Sequence, residues 1–395
     1  MITYCIPSKN NLRYLKNSIE SIKNHTTSSE IIVFVDSDND GTKKWLKNNN
    51  IEYIENTSSE PKGIAYGYNK CIEKSSKDIV CMFHADMYMA EGFEANLLKH
   101  LKNNTIVSAT RIEPPLHPEG KEKIVKSFGM YPEDFNISLF NNFSKNLLTE
   151  NLNKTTNGIF APWICYKNDI KSIFMHDEYF HSYHEDSDIF QRFILKKFKI
   201  IQSWDSLVYH FTCRGGQFQD GIEKVTSDEK FHTMKNRSAK HFIRKWGHWI
   251  ENNEYSHPVI HKKYDIGVFI KNCKEEFLPY IEPLFSSLYV DNKIRENYIK
   301  EVQPGTPFNM KMRVKDKEVY FPTNDIIISF DGSKLTNERI QILCTLPKMI
   351  EDSGEVGKME FDIFNIQINK LKTYESLLIN LNDSYYQNQL KNKND

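Results

Sequence analysis

His84, Ala85 and Asp86 stand at the end of an unbroken apolar run, residues 79–83. Five consecutive apolar residues suit a strand buried on both faces. In an open α/β sheet, ligands bind outside the carboxyl ends of such strands. A carboxylate beside an imidazole at that tip suits a hard divalent cation. The competing reading is a strand that ends in a solvated Asp. Three other polar groups share this placement: the loop after Pro7, Asp36 after residues 30–35, and His210 after residues 206–209. A fifth, Glu185 with Asp186, opens a helix at the point in the chain where a lip over that edge is expected.

The elements that must position these groups alternate between strand and helix. Residues 2–6 read as a strand, expected to stop at Pro7 because a central strand needs the N–H that proline lacks. Leu12, Leu15, Ile19 and Ile22 recur at helical spacing. Residues 30–35 form a second strand that breaks into the Asp- and Asn-rich loop 36–42. A short helix follows through Trp45 and Leu46, then a strand at 51–54, a helix at 63–74, and helical residues at 91–101. Such alternation predicts a mainly parallel sheet with helices on both faces.

Between residues 108 and 157 the pattern loosens. Pro114, Pro115, Pro118, Pro132 and an Asn-rich tract predict a long excursion rather than a core element. Residues 160–165 restore order around Trp163. A helix follows with Ile189, Phe190, Phe193 and Ile194 on its buried side, then strands at 198–201 and 206–209. A glycine pair, Gly215 and Gly216, opens the next loop, and a helix at 231–246 ends before Gly247. A boundary near Pro258 separates a first domain, 1–255, from a smaller α+β domain, 262–380, of unassigned role. A polar tail, 381–395, closes the chain. Residues 270–288 echo the strand-turn-helix order of 6–22, which the ordinary grammar of βα units accounts for.

Composition narrows the class. A chain of 395 residues is long enough for two or three domains. Lys+Arg and Asp+Glu are both 52, so no global basic field draws in nucleic acid or anionic membrane. With 39% hydrophobic and 13% aromatic residues, a sizeable core can form. Seven cysteines without a CxxC pair argue for reduced thiols rather than a disulfide or zinc framework. The opening residues read as a strand, without charged leader or apolar signal core, and no run is long enough to span a membrane. The expectation is a cytoplasmic protein.

Five stretches together resemble the glycosyltransferases of the GT-A fold, closest to the inverting enzymes of family 2. Tyr4, Cys5, Ile6 and Pro7 resemble that family's opening strand, and residues 35–42 its acidic loop. Gly63 to Asn69 resembles its small-residue helix, and His84, Ala85 and Asp86 its Asp-x-Asp. Residues 185–188 resemble its Glu-Asp helix start. The match covers about residues 1–250. Three departures stand out: His84 replaces the first Asp, the acidic loop is one residue short, and Tyr68 stands where an Arg often precedes the central Asn.

The resemblance implies transfer of a sugar from a UDP-, GDP- or dTDP-linked donor to a hydroxyl of a glycan, lipid-linked or protein acceptor, with inversion. It implies a divalent cation, Mn2+ or Mg2+, anchored by Asp86 and joined by His210. Asp186 is the expected general base, with Glu185 beside it, although acidic residues at a helix start are also ordinary capping choices. Pro7, Asp36, Gly63, Asn69, His84, Ala85 and Arg214 are expected at the donor, and Trp163 as an apolar wall for the acceptor. Neither reading assigns the C-terminal domain, which leaves room for self-association through it. Two rivals keep the fold: nucleotidyl transfer, and a sugar-binding module without turnover.

Overall fold

β1 (Ile2–Lys9) is the strand on which the first half of the chain is assembled. Around it lie α1 (Leu12–His25), β2 (Glu30–Ser37), α2 (Thr42–Asn48), β3 (Glu52–Glu55), α3 (Ile64–Lys74) and β4 (Ile79–Met82). Then come β5 (Met87–Met89), α4 (Phe93–Leu98), β6 (Thr105–Glu113), β7 (Lys123–Val125), α5 (Ile137–Glu150) and β8 (Thr155–Thr156). β9 (Trp163–Tyr166), α6 (Lys167–Ser172), α7 (Glu185–Leu195) and β10 (Lys199–His210) complete the set. These assignments come from a computed structural model, which describes residues 1–212, 229–375 and 379.

The strands form one sheet in the order β3-β2-β1-β4-β9-β6-β10-β5, with β7 on β6 and β8 on β10. β1 is parallel to β2 and β4, β2 to β3, and β6 to β10. β9 runs antiparallel between β4 and β6, and β5 antiparallel to β10. This is the mainly parallel α/β sheet that the resemblance to the GT-A fold implies.

Three expectations are corrected here. β1 does not stop at Pro7 but pairs with β2 as far as Lys9. The Phe83 N–H donates to the Cys5 carbonyl at 3.1 Å, so odd-numbered residues of β1 face β4, and β4 has ended by Pro7. The missing N–H therefore interrupts no ladder. Secondly, residues 108–157 are no excursion at their start: all nine residues of β6 are buried. Aromatic residues further along, Phe128, Phe135 and Phe140, pack on Tyr88, Tyr209 and Phe211. Thirdly, the strands expected at 198–201 and 206–209 are one strand, β10, with a bulge between Ser203 and Leu207.

Contacts divide the chain into two units, Met1–Met234 with Asn252–Val259, and Lys235–Glu251 with Ile260–Asp395. Most of the helix Glu229–Trp246 groups with the second unit, while Asn252–Val259 groups with the first. Arg244 on that helix donates to the Glu282 carboxylate at 2.7 Å.

The second unit holds β11 (Ile266–Lys271), β12 (Ser287–Val290), β13 (Val314–Asp316), β14 (Ile326–Asp331), β15 (Gly357–Phe361) and β16 (Phe364–Ile368). Their order is β13-β12-β11-β14-β16-β15. The first four are parallel and the last two antiparallel. β13-β12-β11-β14 repeats the order of β3-β2-β1-β4, so the echo between residues 6–22 and 270–288 extends to topology.

Candidate active site and metal centre

Beyond β4 the chain turns through residues 84–86 and returns as β5. Two α1 serines fix this turn. Ser18 Oγ donates to the Ala85 carbonyl at 2.7 Å and accepts from the Met87 N–H at 3.1 Å. Ser21 Oγ accepts from the Met89 N–H at 3.2 Å. β5 then pairs with the end of β10, His210 opposite Met87, and the Phe211 N–H donates to the Asp86 carbonyl at 3.0 Å. This register carries His210 to the tip of β4. Ligand atoms of His84, Asp86 and His210 all lie within 4.8 Å of one another.

Charge around this trio is balanced by residues that sequence reasoning missed. His210 Nε2 lies 3.4 Å from Asp86 Oδ1, and its Nδ1 lies 2.8 Å from Glu113 Oε1. Glu113, at the end of β6, also pairs with Arg111 at 2.9 Å and Lys123 at 3.1 Å. Arg111 in turn reaches Glu122 at 3.2 Å and lies over the Phe160 ring, 3.7 Å from its centroid. Burial lowers the His210 pKa, but Asp86 and Glu113 outweigh it and raise it to about 9. Burial, with His210 adding to it, lowers His84 to about 4. His84 is therefore a neutral imidazole as it stands, whereas His210 would have to give up its proton to ligate a cation. Glu113 lies well below the usual carboxylate range, since burial, which raises it, is overcome chiefly by Arg111.

Two imidazoles and one carboxylate form a donor set that fits a first-row divalent ion such as Mn2+ better than Mg2+. Glu113 backing His210 has the form of a carboxylate that orients a ligating imidazole. Glu113→Gln is accordingly expected to weaken Mn2+ binding about 10–100-fold, read by electron paramagnetic resonance titration. Unchanged affinity would remove Glu113 from the site.

The lip forms separately. Tyr183 and His184 both have positive φ, +68° and +71°, a costly conformation for non-glycine residues. They precede the first turn of α7, which carries Glu185, Asp186 and Asp188. Asp186 Oδ1 accepts from the Ser187 N–H at 2.7 Å. Burial raises the Asp186 pKa, and the Arg111 charge is among the influences opposing it. Burial, reinforced by Asp186, pushes Glu185 up to about 8. Among the described residues, Glu185 Oε2 is buried without a hydrogen-bond partner. Tyr68, standing where the resemblance expects an Arg, gives Glu185 no cation.

Three residues expected at the donor hold the segment leading to this lip and the loop after β3. Asn69 is buried, donating to the His176 carbonyl at 2.9 Å and Glu178 Oε1 at 2.8 Å, and accepting from the His176 N–H at 2.9 Å. Gly63 has φ +88°, and a Cβ there would lie 2.1 Å from the His181 carbonyl oxygen, so only glycine fits. Asp36 Oδ1 accepts from the Lys62 N–H at 2.7 Å and Asn56 Nδ2 at 2.9 Å, while Oδ2 accepts from the Gly63 N–H at 3.0 Å. It organises the loop after β3. Further along, the buried Arg192 donates to Asp188 at 2.9 Å and to the Ile173 and Met175 carbonyls.

The structure thus brings together His84, Asp86 and His210, and turns His84 from a donor contact into a candidate ligand. It corrects Trp163, which is 2% exposed and packs against Phe190 and Phe193; no face is open to an acceptor sugar. Pro7 is an ordinary strand residue against which Gly67 packs closely. The Ala85 carbonyl is already engaged by Ser18. Arg214 lies outside the described residues.

Residues 3–142 match the family model for glycosyl transferase family 2. No curated protein matches the sequence. Similar solved structures include GalNAc-T7 with UDP, GalNAc and Mn2+, at 12% identity and TM-score 0.39, covering 53% of this chain and 43% of that one. Another is the mannosyltransferase PcManGT from Pyrobaculum calidifontis with GDP-Man and Mn2+, at 16% identity and TM-score 0.39, covering 61% of each chain. A third is S. aureus TarS 1-349, at 13% identity and TM-score 0.37, covering 60% of this chain and 69% of that one. The chain therefore spans less than two thirds of the length of the first two. Among the described residues, no helix is long and apolar enough to cross a membrane. Through residues 3–142, which include Asp36, His84 and Asp86, the chain resembles the family 2 glycosyltransferases of the GT-A fold.

Proposed function

We propose that this protein is a metal-dependent, inverting glycosyltransferase, moving a sugar from a nucleotide-sugar donor to an acceptor hydroxyl. The observation that carries this reading is the convergence of His84, Asp86 and His210 at the sheet edge, in a unit whose residues 3–142 match the family 2 model. These three residues would hold the cation, Mn2+ in preference to Mg2+. When bound, such an ion stabilises negative charge on a diphosphate leaving group. Asp36 shapes the neighbouring loop through the Lys62 and Gly63 N–H groups, and so acts on the nucleotide side indirectly.

Asp186 would take the proton from the acceptor hydroxyl. Its raised pKa makes it a stronger base than an exposed carboxylate. Glu185 would keep its proton, leaving the pair with one negative charge, as close carboxyl groups do.

The test uses the metal. Asp86 is 4% exposed and faces His210, so Asp86→Asn, which keeps the shape, is preferable to Asp86→Ala. Calorimetric titration with UDP, GDP and dTDP, with Mn2+ or with chelator, should show Mn2+-dependent affinity in the wild type. Asp86→Asn should lose it while remaining folded, as circular dichroism would show. Mn2+-dependent affinity that survives in Asp86→Asn would overturn the assignment.

A further inference from the structure

β15 (Gly357–Phe361) ends the second sheet, and β16 is its one hydrogen-bonded neighbour among the described residues. All five of its residues are exposed. Such an edge presents unpaired backbone groups, and proteins normally protect it with charges, bulges or cover. Met359 and Phe361 stand opposite Ile366 and Phe364, which are 2% and 1% exposed. They therefore share the sheet face that β16 turns into the core, yet are 37% and 42% exposed, and Val356 just before them is 65% exposed. Val356, Met359 and Phe361 thus form an exposed apolar strip.

We propose that β15 pairs with β15 of a second copy of this chain, antiparallel about Met359, joining two six-stranded sheets edge to edge. The sequence of the strand is self-complementary in that register. Lys358 of one copy falls opposite Glu360 of the other, twice over by symmetry. Gly357 falls opposite Phe361, leaving room for the ring to lie across the glycine, a known way of covering an edge glycine. Opposite charges in facing positions favour a register and like charges oppose it. A strand defended against pairing would carry one sign of charge; β15 carries one of each, at the spacing that pairs with itself. A two-fold contact of this kind uses the same patch on both subunits. It rests on nothing proposed for the first unit, so it stands or falls independently of the catalytic reading.

The experiment is sedimentation velocity on the full chain over about a hundredfold range of concentration, with hydrogen exchange of residues 357–361. The wild type should pass from monomer to dimer, and these amides should gain protection with concentration. Lys358→Glu places Glu against Glu, and Glu360→Lys places Lys against Lys. Each alone should raise the dimer dissociation constant at least about tenfold. Mixing the two variants should restore dimer, because every facing pair is then opposite in charge; the double variant K358E/E360K should dimerise by itself. Both substitutions are at exposed positions, and circular dichroism checks that each variant is folded. A monomeric wild type, including one whose β15 amides are protected at every concentration by its own C-terminal segment, would overturn the proposal. So would a dimer indifferent to Lys358→Glu, or failure of the mixture to reassociate.

Discussion

Asp186→Asn is expected to lower turnover by about 10²–10⁴-fold while sparing donor binding. The amide keeps the shape of the carboxylate and can still accept from the Ser187 N–H, bonded in the wild type at 2.7 Å. It cannot take a proton. An interaction needed only in the transition state should be lost from kcat rather than from KM. If Asp186 serves only to complement the helix start, the exchange should be almost silent, because Asn supports that end of a helix about as well as Asp. The pH profile adds a second readout. Burial raises the Asp186 pKa, so wild-type activity should fall on the acid side as Asp186 becomes protonated, and that limb should vanish in Asp186→Asn. Glu185→Gln is the control. Glu185 is pushed up to about 8 and is mostly protonated at neutral pH, so removing its charge should change little. A greater loss at Glu185 than at Asp186 would exchange their roles.

The parts of this site that could be read in the sequence are those at a change of pattern. His84 and Asp86 end an apolar run, and Glu185 and Asp186 begin a helix, so their positions follow from local periodicity. Glu113 could not be found that way. Arg111 and Glu113 look like the charged start of a loop, yet they lie two apart on a buried strand and neutralise one another. The available signal was that spacing of two, which places both on one face of a strand. The antiparallel insertion of β9 between β4 and β6 was equally hidden, because no residue of β9 names its partners. Gly63 and Asn69 were noticed for the right chemical reason, but their contacts within the chain could not be read: a glycine with positive φ and an amide with three bonds hold residues 176–181, the segment leading to Asp186. Position along the chain marks what is special about a residue, whereas the folded backbone decides what it meets.

The second large effect is expected far from the chemistry, at Glu282. This carboxylate is 1% exposed and lies between two guanidinium groups, Arg244 at 2.7 Å and Arg313 at 2.5 Å, with Tyr298 Oη donating at 3.1 Å. Arg313 also donates to the Glu282 and Phe285 carbonyls at 2.8 and 2.6 Å. Replacing a whole buried ionic cluster by apolar groups can be neutral, but removing one partner leaves charge buried without compensation and typically costs about 3–5 kcal/mol. Glu282 is the partner common to both arginines, so Glu282→Ala should destabilise the second unit by that amount. Glu282→Gln, which opens no cavity, should lose most of it as well. Arg313→Met should cost less, because Glu282 keeps Arg244. Acid should act in the same direction. Burial raises the Glu282 pKa, but Arg244 and Arg313 overcome this and hold it at about 2, against 4.5 for an ordinary glutamate. A depressed carboxylate pKa stabilises the fold above the unfolded value, and that stabilisation is lost as pH falls from about 4.5 toward 2, a contribution of roughly 3 kcal/mol. Urea unfolding of the full chain, resolved by hydrogen exchange into its two units, measures both effects. The loss should appear in residues 260–375 and leave β1 to β10 unchanged. A cost for Glu282→Ala below about 1 kcal/mol, the range of exposed pairs, would mean that solvent reaches the arginines and that the cluster is not buried in solution.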